Sequence, residues 1–329
     1  MLSRPSRHPL PLLLFAVIAL VCPLKAETYT LKLGHVQSSE EPIHKSFLRF
    51  AKGVEDRSEG RVLVHVYEAS ALGTNKEVYE LARLGASVIA NVDSGYLSDY
   101  LPDVGILNGP YLLQDINDYK KVVESAWYRE QMDNLYEKGF KVIALNGYFG
   151  ARHIISAKPI RNVDDFAGLQ IRIPPNIIWV QTFRSLGANP TTLAWSEVYS
   201  GLAQGVVDAA EAPLGSIIGS RLYEHQKVLS TTGHFRPFVG MVMGRRYWEK
   251  LPEDIRSILL EEGESWGDVL TGLTVSAEQS QRYFIESQGV RIAEDIDYAS
   301  LREATRSVYS ANPDWSPGLY EKIQGILEQ

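Results

Sequence analysis

Cysteine is almost missing from this chain of 329 residues, and the single Cys22 sits in a segment that reads as a removable leader. Arg4 and Arg7 precede a nearly unbroken apolar run from Leu10 to Cys22, and Leu24-Lys25-Ala26 ends on a small residue. That is the order of a secretory signal peptide, with an apolar core too short to stay across a membrane, and cleavage is expected after Ala26. Ala19-Leu20-Val21 fits poorly with a lipid anchor on Cys22. The chain that remains has no cysteine, which excludes disulfides and a thiol nucleophile, so an exported protein must rest on a large core in one or two domains. Basic clusters are missing too. Losing Arg4, Arg7 and Lys25 takes the formal charge from −7 to −10, which argues against nucleic acid or an anionic membrane surface as partner. No later apolar stretch approaches a membrane span. There is no Gly-x-Ser-x-Gly elbow, no phosphate loop and no His-Glu-x-x-His. His35, His44, His65, His153, His225 and His234 are scattered without metal-ligand spacing on one helix face, so neither metal nor cofactor is expected.

What is present alternates between strand and helix. Thr28 to His35 has the period of a strand, and Phe47, Phe50, Ala51 and Val54 that of a helix closed by Ser58-Glu59-Gly60. Val62, Val64 and Val66 mark a second strand, Asn75 to Leu84 a helix, and Val88 to Asp93 a third strand. Such a βαβαβ order implies a mostly parallel sheet covered by helices, with ligands at the carboxyl ends of the strands. The pattern recurs in altered form. Helices are expected over Tyr119–Lys138, Asn176–Leu186 and Trp195–Gln204, and strands over Lys141–Leu145, Leu169–Ile173 and Val206–Ala210. Two α/β lobes follow, joined by a crossing strand at His153–Ser156 and a return near Phe238–Met243. Pro252 opens a long amphipathic helix through Ile255, Leu259, Trp266 and Leu270, running on to Phe284, long enough to lie along both lobes.

Arg172 stands between two isoleucines in Leu169-Gln-Ile-Arg-Ile-Pro-Pro175. A guanidinium keeps its charge, so one at the end of a buried strand needs an anion opposite. That anion is a carboxylate of the protein or one that arrives as ligand. Arg152, after Gly150-Ala151, either faces the same cleft or is a solvated surface charge. Carboxylates such as Glu77, Asp93 and Glu211 leave a secreted hydrolase or lyase open as an alternative.

In order along the chain come Leu186-Gly187-Ala188-Asn189-Pro190, Trp195-Ser196-Glu197-Val198-Tyr199, Gln204-Gly205-Val206-Val207-Asp208 and Glu211-Ala212-Pro213. Together with Ile171-Arg172-Ile173-Pro174 and Thr232-Gly233-His234, these resemble the signature of TRAP-transporter substrate-binding proteins, over essentially the whole chain after the leader. The resemblance implies an α/β periplasmic binding protein of two lobes that close on a small organic acid and pass it to a membrane permease. The lobes would be 27–149 plus 238–277 and 150–237 plus 278–329, with the long helix spanning both. Arg172 matches the arginine that grips the ligand carboxylate, Arg152 a second arginine that often assists, and Trp195 an aromatic of the cleft. Asn75 and Asp93 match first-lobe positions that meet the rest of the ligand. Glu211, Phe235 and His35 complete the candidate set. Two departures stand out: Ala212 and Pro175 occupy positions where many members carry asparagine. They suggest a compact or partly apolar monocarboxylate, walled by Trp179, Trp195, Phe149 and Phe235. A ligand-sensing partner of a receptor fits the same residues.

Overall fold

The computed structural model describes residues 27–329, so the expected leader lies outside the described residues. Eleven strands form two sheets among the described residues. They are β1 (Tyr29–Gly34), β2 (Val62–Tyr67), β3 (Val88–Asp93), β4 (Phe140–Tyr148), β5 (Arg152–Ser156), β6 (Gln170–Ile173), β7 (Asn189–Thr192), β8 (Ala209–Pro213), β9 (Val228–Ser230), β10 (Phe238–Gly244) and β11 (Arg291–Ala293). The first sheet runs β2-β1-β3-β10-β4, with β1 parallel to β2 and β3, and β10 antiparallel to both of its neighbours. The second runs β11-β9-β5-β8-β6-β7. The chain crosses from β4 to β5 through Phe149-Gly150-Ala151, where Gly150 has φ of +101°, a conformation that glycine adopts without strain. It returns between β9 and β10 and crosses again between β10 and β11. The fold is α/β and two-lobed, as the alternating pattern implied.

Local sequence explains most elements. In β1, Leu31 and Leu33 are buried while Thr30 and Lys32 face water. The helix Pro42–Arg57 has proline in its first turn and buries Ile43, Phe47, Phe50 and Val54. Thr74 and Glu77 form a reciprocal capping box at the start of the helix Asn75–Arg83, so the Glu77 carboxylate is engaged in a helix cap. The long helix spans Glu253–Ser287. Its Trp266 stacks on Phe47 at 5.3 Å and donates to Ser46 Oγ at 2.8 Å, within the core of the first sheet. Ile285, near its other end, packs with Ile155 and Ala212 of the second sheet. One helix therefore ties the two sheets together.

Several expectations need correction. Tyr119–Lys138 is two helices, Ile116–Glu124 and Ala126–Glu137, divided at Ser125, whose hydroxyl accepts from the Tyr128 amide at 3.1 Å. The strand expected at Val206–Ala210 begins three residues later. The Val206 amide still donates to Gly201 O in the turn that closes the preceding helix, and sheet pairing starts only at Ala209 opposite Ile171. Part of the segment between β3 and β4 packs with both sheets: Tyr119 stacks on Phe238 of β10 at 3.5 Å and shares a core with Ile154, Leu301 and Ile323.

Candidate functional site

The carboxyl ends of β3, β6 and β8 and the start of β5 converge on a cleft between the sheets, where open α/β folds place ligands. It encloses a cavity of about 60 Å³. Arg172, Arg152, Trp195, Trp179 and Ala212 form one wall; Asn75, Asp93, Tyr96, Asn91 and Gln37 form the other.

Strand register gives the two arginines different roles. Side chains alternate between the faces of a sheet, so directly opposite residues share a face. Glu211 of β8 lies opposite Ile154 of β5, and Arg152 lies opposite Pro213, which puts Arg152 and Glu211 diagonally on one face. Arg152 grips Glu211 with both ends of its fork, Nε to Oε2 at 2.5 Å and Nη2 to Oε1 at 2.6 Å. His234 Nε2 lies 3.2 Å from the same Oε2, while its Nδ1 is 2.7 Å from Thr232 Oγ1. A carboxylate only accepts, so Nε2 carries the proton and Nδ1 accepts from Thr232. Burial lowers the pKa of His234 and keeps it neutral. Burial alone would raise Glu211, but the charge of Arg152 and the bonds from His234 and Arg152 hold it at about 2.

Arg172 pairs with Ala210, so it projects from the opposite face of the same sheet and forms no salt bridge with Glu211. It is 2 % exposed. Its Nε and Nη2 both donate to the Leu193 carbonyl, at 3.1 and 2.7 Å. Cζ sits 5.1 Å from the Trp195 ring, a cation–π distance. No carboxylate forms a salt bridge with Arg172 among the described residues, and burial pushes its pKa down to about 10, still charged at neutral pH. With the Nε edge on Leu193, the Nη1–Nη2 edge remains for a planar anion.

On the other wall, Asp93 Oδ1 accepts from the Tyr96 amide at 3.0 Å and from Asn108 Nδ2 at 3.2 Å. Burial raises its pKa, against those bonds and the charge of Arg152. Asn75 lines the same wall from the start of its helix.

Of the eight candidates, Arg172, Arg152, Trp195, Asp93 and Asn75 come together around the cavity. Three do not line it. His35 is buried against Phe47, with its Nε2 3.0 Å from His44 Nδ1. Phe235 packs under Trp179 at 4.5 Å. Glu211 is fully buried beneath Arg152, so Arg152 borders the cavity with its charge already matched. The wall is also more polar than Ala212 and Pro175 suggested, because Gln37, Asn91 and Tyr96 contribute from the first sheet. Their signal in the sequence was position: each lies at or just beyond a strand that ends at the cleft. No group of three His, Cys, Asp or Glu able to hold a metal occurs among the described residues.

The DctP family model, described as bacterial extracellular solute-binding protein, family 7, matches residues 33–313. A TRAP periplasmic solute-binding protein from Ochrobacterium anthropi with bound L-fuconate is similar at a TM-score of 0.89 and 33 % identity, covering 91 % of this chain and 99 % of that one. One from Fusobacterium nucleatum with bound sn-glycerol-3-phosphate has a TM-score of 0.88 at 28 % identity, covering 92 % and 98 %. The C4-dicarboxylate-binding periplasmic protein DctP of Rhodobacter capsulatus is 30 % identical over 296 residues, 89 % of this chain and 86 % of the relative. This chain belongs to the family-7 bacterial extracellular solute-binding proteins, the substrate-binding proteins of TRAP transporters, and is not an enzyme.

Proposed function

We propose that the protein is exported through a signal peptide cleaved after Ala26, captures a small monocarboxylate in the periplasm and delivers it to a TRAP membrane permease. One observation carries the ligand assignment: Arg172 is a buried cation that forms no salt bridge with a carboxylate among the described residues, and it lines the cavity. A ligand carboxylate supplies the missing anion through two parallel charge-assisted bonds. Trp195 backs the guanidinium, while Asn75 and Asp93 take hydroxyls at the far end of the ligand. The two lobes, 27–149 with 238–277 and 150–237 with 278–329, close around it about the β4–β5 crossing. The relatives support an acid: one holds L-fuconate, and another is named for C4-dicarboxylates. A sugar acid of the fuconate kind also suits the polar first-lobe wall better than an apolar acid does.

A thermal-shift screen of carboxylic acids tests this. A ligand at a hundred times its dissociation constant stabilises by about 2.7 kcal/mol, a clear rise in melting temperature. Arg172→Ala abolishes the rise and leaves a folded protein; Arg172→Lys largely does so, because a point charge does not match the planar carboxylate. Undiminished acid binding by a folded Arg172→Ala protein refutes the assignment.

A further inference from the structure

Glu41 lies outside the ligand-facing wall, where the two halves of the fold touch. It immediately precedes the helix Pro42–Arg57 of the first half, and its Oε2 accepts from Ser216 Oγ at 2.6 Å. Ser216 belongs to the helix Leu214–Gly219, which follows β8 in the second half, and Ser216 also borders the ligand cavity. Oε1 accepts from the Ser38 amide at 3.0 Å. The fit is close: a Cβ on Gly219 would stand 2.6 Å from Ser38 Oγ and 2.7 Å from Glu41 Oε1. Glu41 is 2 % exposed, and no lysine or arginine pairs with it among the described residues. Other bonds also join the halves, among them Asn176 Nδ2 donating to the Gly95 carbonyl and Trp315 Nε1 donating to the Pro102 carbonyl.

A carboxylate shut away from water without a cation is disfavoured in its charged form. Separating Glu41 from Ser216 returns water to it. We propose that Glu41 is a proton-linked latch: closing the lobes on the ligand brings a proton onto its carboxyl, so mild acid holds the ligand and higher pH loosens it. The latch rests on the lobe closure proposed above.

Other titratable and charged groups pack around it. His44 follows one turn later, and His153 of β5 with Glu278 and Arg282 of the long helix line a cavity of about 40 Å³ that Glu41 also borders. His35 directly follows β1, before the Glu41 loop; burial holds both His35 and His153 at about 3, neutral throughout the range that matters. Burial pushes Glu41 up to about 7, against the bonds from Ser216 and Ser38. A value raised in the closed state means that closed protein binds more protons between the solvated carboxyl value and 7. Affinity therefore rises as pH falls through 7 and levels off near the solvated value.

The test is calorimetric titration with L-fuconate, or with the best acid of the screen if that sugar acid does not bind. Affinity should be about tenfold higher at pH 6 than at pH 8, and binding at pH 7 should take up about half a proton per ligand, read from buffers of different ionisation heat. Glu41→Gln, whose Oε1 can still accept from the Ser38 amide while its Nε2 donates to Ser216 Oγ, carries no charge and should bind with no pH slope and no proton uptake. A flat wild-type profile, or a Glu41→Gln profile as steep as the wild type, overturns the latch while the carboxylate site stands. If no acid binds the wild type at either pH, the binding reading fails and the latch falls with it. Should the variant not fold, the proton count on the wild type decides alone.

Discussion

Replacing Arg152 by methionine should damage the fold, where replacing Arg172 should damage binding. Arg152 is 8 % exposed and Glu211 0 %, and the guanidinium makes three bonds to Glu211, two to its carboxylate and one to its carbonyl at 3.0 Å. Without Arg152, the Glu211 carboxylate keeps only His234. Removing one partner of a buried ion pair costs about 3–5 kcal/mol, because the other charge is left uncompensated. At roughly 2 °C per kcal/mol for a chain of this size, Arg152→Met should melt about 6–10 °C lower at pH 7. The pH dependence sharpens the test. Glu211 has its folded value depressed to about 2, so the pair stabilises above the usual carboxyl value, and that stability is lost as pH falls through 2. In Arg152→Met, burial acts on Glu211 with little to oppose it and its value rises, so the carboxyl protonates more readily. The gap between variant and wild type should then shrink at pH 4 relative to pH 7. Adding Glu211→Leu removes the stranded charge and should restore most of the loss. Differential scanning calorimetry measures all three. A single variant within about 2 °C of wild type at pH 7, or a double variant less stable than the single one, refutes the reasoning.

Trp195→Ala should weaken acid binding by roughly tenfold, the scale of one partly desolvated cation–π contact, with little change in the melting temperature of the free protein. Titration of both proteins with one acid reads the ratio, and equal affinities would remove Trp195 from the site. Gly240→Ala should be severe, about 3 kcal/mol or more in urea unfolding, since its Cβ would lie 1.8 Å from the Ala144 carbonyl oxygen in the neighbouring strand. Gly267→Ala should cost only about 1 kcal/mol. There the clash, 2.3–2.5 Å, is with the Asn146 side chain, which can rotate away by giving up its bond to Glu264 O. A larger loss at Gly267 than at Gly240 would show that the helix, and not β10, is the tighter fit.

Elements whose signal is local were legible in the sequence. The helix Pro42–Arg57, the long helix and the alternating β1 each carry their own periodicity, and the observed bounds fall within a few residues of those expected. Short strands that exist only through pairing were not. β7 is the edge strand Asn-Pro-Thr-Thr, which has no apolar alternation and tolerates Pro190 because the edge needs no second ladder. β9 and β11 have three residues each, too few to show a period. The site divides in the same way. Arg172 between two isoleucines announced a buried cation, because alternation sets it opposite the core face. Which anion it meets depends on strand register, a non-local property: the pairing of Ile154 with Glu211 and of Arg172 with Ala210. A slip of one residue between β6 and β8 would turn Glu211 to the face of Arg172. The carboxylate would then neutralise the cation that the cleft offers, and Arg152 would be the charge left unmatched. In the observed register Glu211 serves Arg152, and Ala212, next along β8, takes the face that Arg172 shares. Ala212 therefore leaves the space beside Arg172 open to whatever carboxylate enters.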